Sequence, residues 1–264
     1  MDLGLKGKIA VVSGSTAGIG LGIAEALAAE GARVVLNGRT EARVQEALAK
    51  IRAKVKNADV LGVAADLGTV AGAQTFIQQI PQADVLVNNL GIFEIKPFLE
   101  IPDADWLRFF EINVMSGVRL TRHYMPGMLK KNWGRVIFIS SESGQQTPVE
   151  MVHYGMTKTA QIAIARGAAA SAAGTGVTVN SVLVGPTASE GVEAFVDSMA
   201  KQQGVTKAQI EQEFFTKARP TSLMKRFETA DEVAAVVAFL AGTQSVTING
   251  AAVRADGGVV NSIL

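Results

Sequence analysis

Residues 8–20 read Lys-Ile-Ala-Val-Val-Ser-Gly-Ser-Thr-Ala-Gly-Ile-Gly. Ile9 to Val12 is a short continuous apolar run, the composition of a strand buried on both faces. Gly14, Gly18 and Gly20 follow at once. Then Leu21 to Glu30, with apolar residues at 23, 24, 27 and 28, reads as a helix stopped by Gly31. A strand, a glycine-rich turn and a helix together form a phosphate cradle. Glycines let the backbone turn sharply and come close to a ligand, and the helix N-terminus points free N–H groups at the anion. The spacing is GxxxGxG, not GxGxxG, and taken alone such a turn can be purely structural.

Working outward, Ala32 to Leu36 is a second strand, ending at Asn37, Gly38 and Arg39. In a dinucleotide fold an acidic residue here would hold the ribose 2′-hydroxyl, whereas an arginine accommodates a 2′-phosphate. No acid is present at 37–39, which favours NADP(H) over NAD(H). Glu41 to Arg52 is an amphipathic helix. Further strands are expected at Asp59–Val63, Asp84–Val87, Arg135–Ser140, Val177–Val184 and Ala251–Ala255. Helices are expected at Thr69–Gln79, in one long run within 102–131, after Tyr154, and at Thr229–Ala241, which opens with a capping-box pattern. This alternation means an α/β fold: a Rossmann-like, doubly wound parallel sheet of about seven strands with helices on both faces. Residues 186–226 break the rhythm with two helical stretches. That position suits a lid over a substrate pocket. No linker or internal repeat is visible, so residues 1–264 are read as one domain.

Residues 141–158 carry the chemistry. If a helix begins just before Tyr154, then Tyr154 and Lys158 leave one face about a turn apart. A free phenol has a pKa of about 10. A nearby ammonium stabilises the phenolate, and a phenol tuned in this way can exchange a proton with a substrate oxygen. Ser141 arrives from the C-terminal end of another strand and could bond the same oxygen. Asn113 interrupts an otherwise apolar stretch and needs a partner if it is buried.

Composition narrows the alternatives. With 48% hydrophobic and 19% charged residues the chain can bury a large core. A net charge of +1 implies neither nucleic acid nor an anionic membrane. Zero cysteines and two separated histidines, His123 and His153, argue against thiolate chemistry and a metal site. There is no membrane-length apolar run and no signal-peptide pattern, and a cytoplasmic location is expected.

Together these motifs resemble the short-chain dehydrogenase/reductase superfamily over nearly the whole chain. The cofactor turn matches Gly14, Ser15, Thr16, Gly18, Ile19 and Gly20; the adenine-side Asp66 is followed by Leu67; the Asn-Asn-Ala-Gly motif stands as Asn88-Asn89-Leu90-Gly91. Asn113, Ser141, Tyr154 and Lys158 match the active-site set, Ser141 lying thirteen residues before Tyr154. The resemblance implies hydride transfer between NADP(H) and a ketone or secondary alcohol, with Tyr154 as proton donor or acceptor and Ser141 holding the oxygen. It further implies that Lys158 binds nicotinamide-ribose hydroxyls and depresses the phenol pKa, while Asn113 positions a water linking Lys158 to solvent. Two departures are Leu90, where the family has a small residue, and Val184-Gly185, where it has Pro-Gly. In that loop Gly185 lies beside the nicotinamide, and Thr187 and Ser189 are the candidate hydroxyls for its carboxamide. Ile92, Phe93, Gln145, Val149, Val192 and Phe195 are candidate pocket residues, pointing to a medium-sized apolar substrate. A homotetramer or homodimer is expected, with Ala160, Ala163, Ala168 and Ala172 admitting close helix approach. A nucleotide sensor on the same fold that has lost catalysis, or NAD-dependent alcohol oxidation, is the alternative.

Overall fold

The structure, a computed structural model, describes residues 1–263, without the side chain of Phe195. The expected pocket role of Phe195 therefore lies outside the described side chains. In chain order the first half contains β1 (Ile9–Val12), α1 (Gly18–Ala29), β2 (Arg33–Gly38), α2 (Glu41–Lys54), β3 (Val60–Ala64), α3 (Val70–Gln79), β4 (Val85–Asn88) and α4 (Asp103–Phe110). Then come α5 (Ser116–Lys131), β5 (Gly134–Ser141), α6 (Val152–Ser171), β6 (Val177–Val184), α7 (Glu190–Gln203), α8 (Lys207–Glu213), α9 (Ala230–Ala241) and β7 (Ala252–Ala255).

The strands alternate their side chains between two cores. In β1, Ala10 and Val12 enter one core and Val11 the other; in β2, Val34 and Leu36 oppose Val35. A sheet apolar on both faces must be covered twice. Ile23, Val44 and Val237 of α1, α2 and α9 cover one face. Phe76, Leu120 and Ala165 of α3, α5 and α6 cover the other. The seven strands pair in the order β3-β2-β1-β4-β5-β6-β7, all parallel. The order reverses between β1 and β4, and ligands of such sheets bind at the carboxyl ends of the strands beside that switch.

The single long helix expected within 102–131 is divided. Glu111–Met115, between α4 and α5, is a π-helical turn, and Asn113 sits inside it. A π turn breaks the regular hydrogen-bond ladder and releases a backbone carbonyl for another partner. The segment after β6 holds α7, α8 and a second π turn at Phe214–Ala218. It has a small core of its own, Val196, Ala200 and Ile210 with Met199 and Phe227 against them. Its base is closed by a bridge between Thr187 and Glu228. Of the four alanines expected to admit close helix approach, Ala172 is buried in the chain's own core, Ala168 packs at the core's edge, and Ala163 faces outward. Among the described residues no helix is long and apolar enough to cross a membrane.

Candidate active site

The turn after β1 is held from two sides. Asn89 Nδ2 donates to the carbonyls of Ser13 (3.1 Å) and Gly14 (2.9 Å), while Ser13 Oγ accepts from the N–H groups of Asn89 and Leu90. From β2, Asn37 Oδ1 accepts from Gly14 N at 3.2 Å, and its amide donates to the carbonyls of Val63 and Ala65. Ser15 is buried, its hydroxyl donating to Val12 O and accepting from Asn37 N. The side chains of Asn37 and Ser15 thus brace the turn. A Cβ on Gly20 would stand 2.4 Å from Gly14 O and 2.5 Å from Asn89 Nδ2, so only glycine closes the turn on itself. Gly14 and Gly18 have φ of +60° and +54°, in the left-handed region.

The N-terminus of α1 differs from those of α2 and α9, which Thr40 and Thr229 cap with their side chains. Ala17 supplies no side-chain cap to α1, and its first turn has no acidic residue. Its orphan N–H groups therefore fit an anion such as a pyrophosphate. Thr16 packs over Gly38, Arg39 is exposed after β2, and Asp66 is exposed after β3, its Oδ1 accepting from Gly68 N at 3.0 Å. Leu67 is buried in the core. Leu90, the bulky departure, finds room over Gly14, where a Cβ would lie 3.2 Å from its Cα.

Register delivers the reacting groups. Ser141, the last residue of β5, pairs with Val184, the last of β6, and so stands beside Gly185. Helix α6 starts at Val152 and carries Tyr154 and Lys158 in its first two turns. Lys158 Nζ lies 5.5 Å from the centroid of the Tyr154 ring. Ile19, Asn89, Gly91, Ser141, Tyr154, Lys158, Gly185, Thr187 and Ser189 all border one cleft of about 770 Å³, together with Ile92, Phe93 and Val192. Gln145 and Val149 do not: Gln145 bonds Ser262 at 3.2 Å, and Val149 is 83% exposed. The hydroxyl of Thr187 donates to Gly185 O at 3.0 Å, whereas Ser189 caps α7 by accepting from Val192 N.

Asn113 is buried and fully engaged. Its Oδ1 accepts from Ile92 N (2.8 Å), and its Nδ2 donates to Ile92 O (2.9 Å) and Thr157 Oγ1 (3.0 Å). Its backbone carbonyl, released by the π turn, accepts from Gln161 Nε2 at 2.7 Å. Gln161 Oε1 accepts from Lys158 Nζ at 3.2 Å, and Lys158 also donates to Ile139 O at 2.8 Å. The side-chain amide of Gln161 thus joins the Asn113 carbonyl to Lys158.

The electrostatic balance also differs from expectation. Burial pushes the Tyr154 phenol above its ordinary pKa, and the charge of Glu142 pushes it further; a hydrogen bond with Ser141 and the charge of Arg219 pull the other way. Burial brings the Lys158 ammonium down to about 8, partly opposed by Glu142. Each group is desolvated, and the strongest nearby charge acting on the phenol is a carboxylate.

That carboxylate escaped the reading of the sequence. Glu142 is buried directly after Ser141. Ser141 Oγ donates to its Oε2, which also accepts from Ser143 N (2.8 Å) and Ser143 Oγ (3.0 Å). Arg219 Nε, 77 residues away in sequence, donates to Glu142 Oε1 at 2.9 Å. An acid set between two serines at a strand end was the available signal. Nothing marked Arg219 or Gln161.

Comparison with known proteins agrees with this geometry. The family model described as short chain dehydrogenase matches residues 8–201. The oxidoreductase YvaG of Bacillus subtilis is 48% identical over 263 residues, covering 100% of both chains. A D-beta-hydroxybutyrate dehydrogenase of Cupriavidus necator is 33% identical, covering 97% of this chain and 99% of its own. The crystal structure of L-sorbose reductase from Gluconobacter frateurii, complexed with NADPH and L-sorbose, superposes with a TM-score of 0.94 at 31% identity and full coverage of both chains.

Proposed function

Because the chain belongs to the short-chain dehydrogenase family and is an oxidoreductase, we propose that it reduces an uncomplicated ketone with NADPH, or oxidises the matching secondary alcohol. The observation that carries this is the meeting of Ser141, Tyr154, Lys158 and Gly91 in one cleft at the carboxyl edge of the sheet. A Cβ on Gly91 would lie 3.5 Å from Asn113 Oδ1 and 3.6 Å from Lys158 Nζ, so the strand end comes close to the amine without a side chain between them. When bound, the nicotinamide supplies or accepts the hydride. Tyr154 donates its proton to the substrate oxygen as the carbonyl carbon is reduced, and takes it back in the reverse direction. Ser141 orients the same oxygen. Lys158, two of whose three donors are already fixed by Ile139 and Gln161, is directed towards the cofactor's ribose with the third.

The lining supports a medium-sized apolar substrate body: Ile92, Phe93, Ile95, Val196, Met199 and Phe214 surround the polar floor. The segment 186–226 serves as the lid over it, and a homotetramer or homodimer is the proposed assembly. The direct test is to mix the purified protein with NADPH and a panel of uncharged ketones and follow loss of the reduced cofactor. Turnover with at least one ketone is expected; tight cofactor binding with no turnover on any would leave a nucleotide sensor instead.

Arg39 is proposed to read the 2′-phosphate, supported by its exposure after β2 and by the absence of an acid at 37–39. Arg39→Ala is then expected to weaken NADPH about tenfold and NADH hardly at all, the worth of one charge-assisted hydrogen bond. Titrating both cofactors against wild type and variant checks this; equal weakening of the two would remove Arg39 from phosphate recognition.

A further inference from the structure

The charged groups around the cleft are closed on one another. Arg219, buried at the end of the second π turn, gives Nε to Glu142 Oε1 at 2.9 Å. Its Nη1 goes to Glu150 Oε1 at 3.2 Å and to Ala218 O at 2.9 Å. Lys217 pairs with Glu213 on the same segment. Glu94 is held by Arg108 at 2.7 Å and Lys96 at 3.3 Å. Lys158 lies deeper and bonds Ile139 O and Gln161. Among the described lining residues, four are carboxylates (Glu94, Glu142, Glu150 and Glu213) and three are cations (Lys158, Lys217 and Arg219). Arg219 is paired with two of these carboxylates, through Nε with Glu142 and through Nη1 with Glu150.

Lys158 apart, which is directed towards the cofactor, the lining cations of such a cleft are already paired with carboxylates. A substrate carboxylate would lose its water, find Arg219 largely neutralised and lie near Glu142 and Glu150. We propose that Glu142 and Glu150, by neutralising Arg219, are specificity-determining residues that restrict the enzyme to uncharged carbonyl compounds and alcohols and reject keto and hydroxy acids. This rests on the hydride-transfer reading above and deepens it. Rejection of the wrong partner by unpaired like charge is a general route to specificity. The two carboxylates differ in a useful way. Glu142 also holds Ser141, so changing it disturbs the reaction centre. Glu150 has a side chain 36% exposed and touches Arg219 alone among charged groups, so changing it alters the charge balance without moving Ser141.

The experiment uses the full-length protein loaded with NADP(H) and a matched pair of ligands, acetoacetate and methyl acetoacetate. Binding is measured by calorimetry on the NADP-loaded protein, and turnover by loss of NADPH. Wild type is expected to bind and reduce the ester at least about tenfold better than the acid. Glu150→Gln, which should melt like wild type, is expected to narrow that ratio several-fold by freeing Arg219 Nη1 for the substrate carboxylate. Glu142→Gln is expected to narrow it in binding, whatever it does to rate. An acid bound as tightly as the ester by wild type, or a ratio unmoved by Glu150→Gln, would overturn the proposal. Preference for the ester in binding without any turnover would support the charge argument while removing the hydride-transfer reading, so the two fail separately.

Discussion

Tyr154→Phe is expected to lower kcat by about a thousandfold or more while NADPH affinity changes less than about twofold. The phenol oxygen is the group proposed to hand over the proton, and a positioned general acid is worth about 10² to 10⁴ in rate. The ring itself would survive the change. It packs edge-on against Phe93, with centroids 6.5 Å apart, and phenylalanine keeps that contact. The groups that brace the cofactor turn (Asn37, Asn89 and Ser13) do not depend on the phenol. Loss of rate with retained binding is therefore the signature of a missing proton donor, read by steady-state kinetics beside a cofactor titration. A near-normal rate in the variant would take Tyr154 out of the chemistry. Loss of rate and binding together would mean that the phenol oxygen also helps to hold the cofactor.

The second large effect concerns stability. Glu228 is buried, and neither carboxylate oxygen has a hydrogen-bond partner among the described residues. It lies under the loop beside Gly185, where a Cβ would stand 2.5 Å from Oε1. The nearby Gly185 N–H donates to Ala255 O at 3.1 Å. Burial raises the carboxyl pKa from 4.5 to about 7, with Asp256, Glu232 and Glu142 adding to the rise and Gly185 N–H opposing it. The sign follows directly. Between 4.5 and about 7 the folded protein holds a proton that the unfolded chain releases. Stability from this group is thus complete below about pH 4.5 and is lost as pH rises through about 7. The loss is on the order of 3 kcal/mol, from the size of the shift. Glu228→Gln keeps the shape and removes the charge. Its unfolding midpoint is expected to exceed that of wild type by several degrees at pH 8 and to match it within about a degree at pH 4. Thermal unfolding at the two pH values measures this, and an equal difference at both would show that Glu228 is not a buried charge.

Most of the fold was legible because its signals are local. Ile9–Val12 against Gly14, Gly18 and Gly20 is a contrast within a dozen residues, and β6 falls at Val177–Val184 as read. The break at Glu111–Met115 was not legible, because a π turn has no composition of its own. It exists here because the carbonyl of Asn113 has Gln161 to bond, and that partner lies 48 residues away in sequence. The proposed pocket shows the same limit. Ile92, Phe93 and Val192 border the cleft, yet Val149 faces solvent and Gln145 turns towards Ser262. Periodicity identifies a segment that approaches a site; it does not say which side chains turn inward.

The sequence by itself determined the parallel sheet and its glycine-rich turn, since both follow from hydrophobic period and glycine placement, and its resemblance to the short-chain dehydrogenases singled out Ser141, Tyr154 and Lys158. Only the tertiary structure decided the charge of the cleft. Glu142 meets Arg219 across 77 residues of chain, and Glu150 meets it across 69. Both the burial that raises the Tyr154 pKa and the pairing that neutralises Arg219 depend on how far these groups are from water and from one another. Those distances are set by packing, and no arrangement of letters along the chain states them.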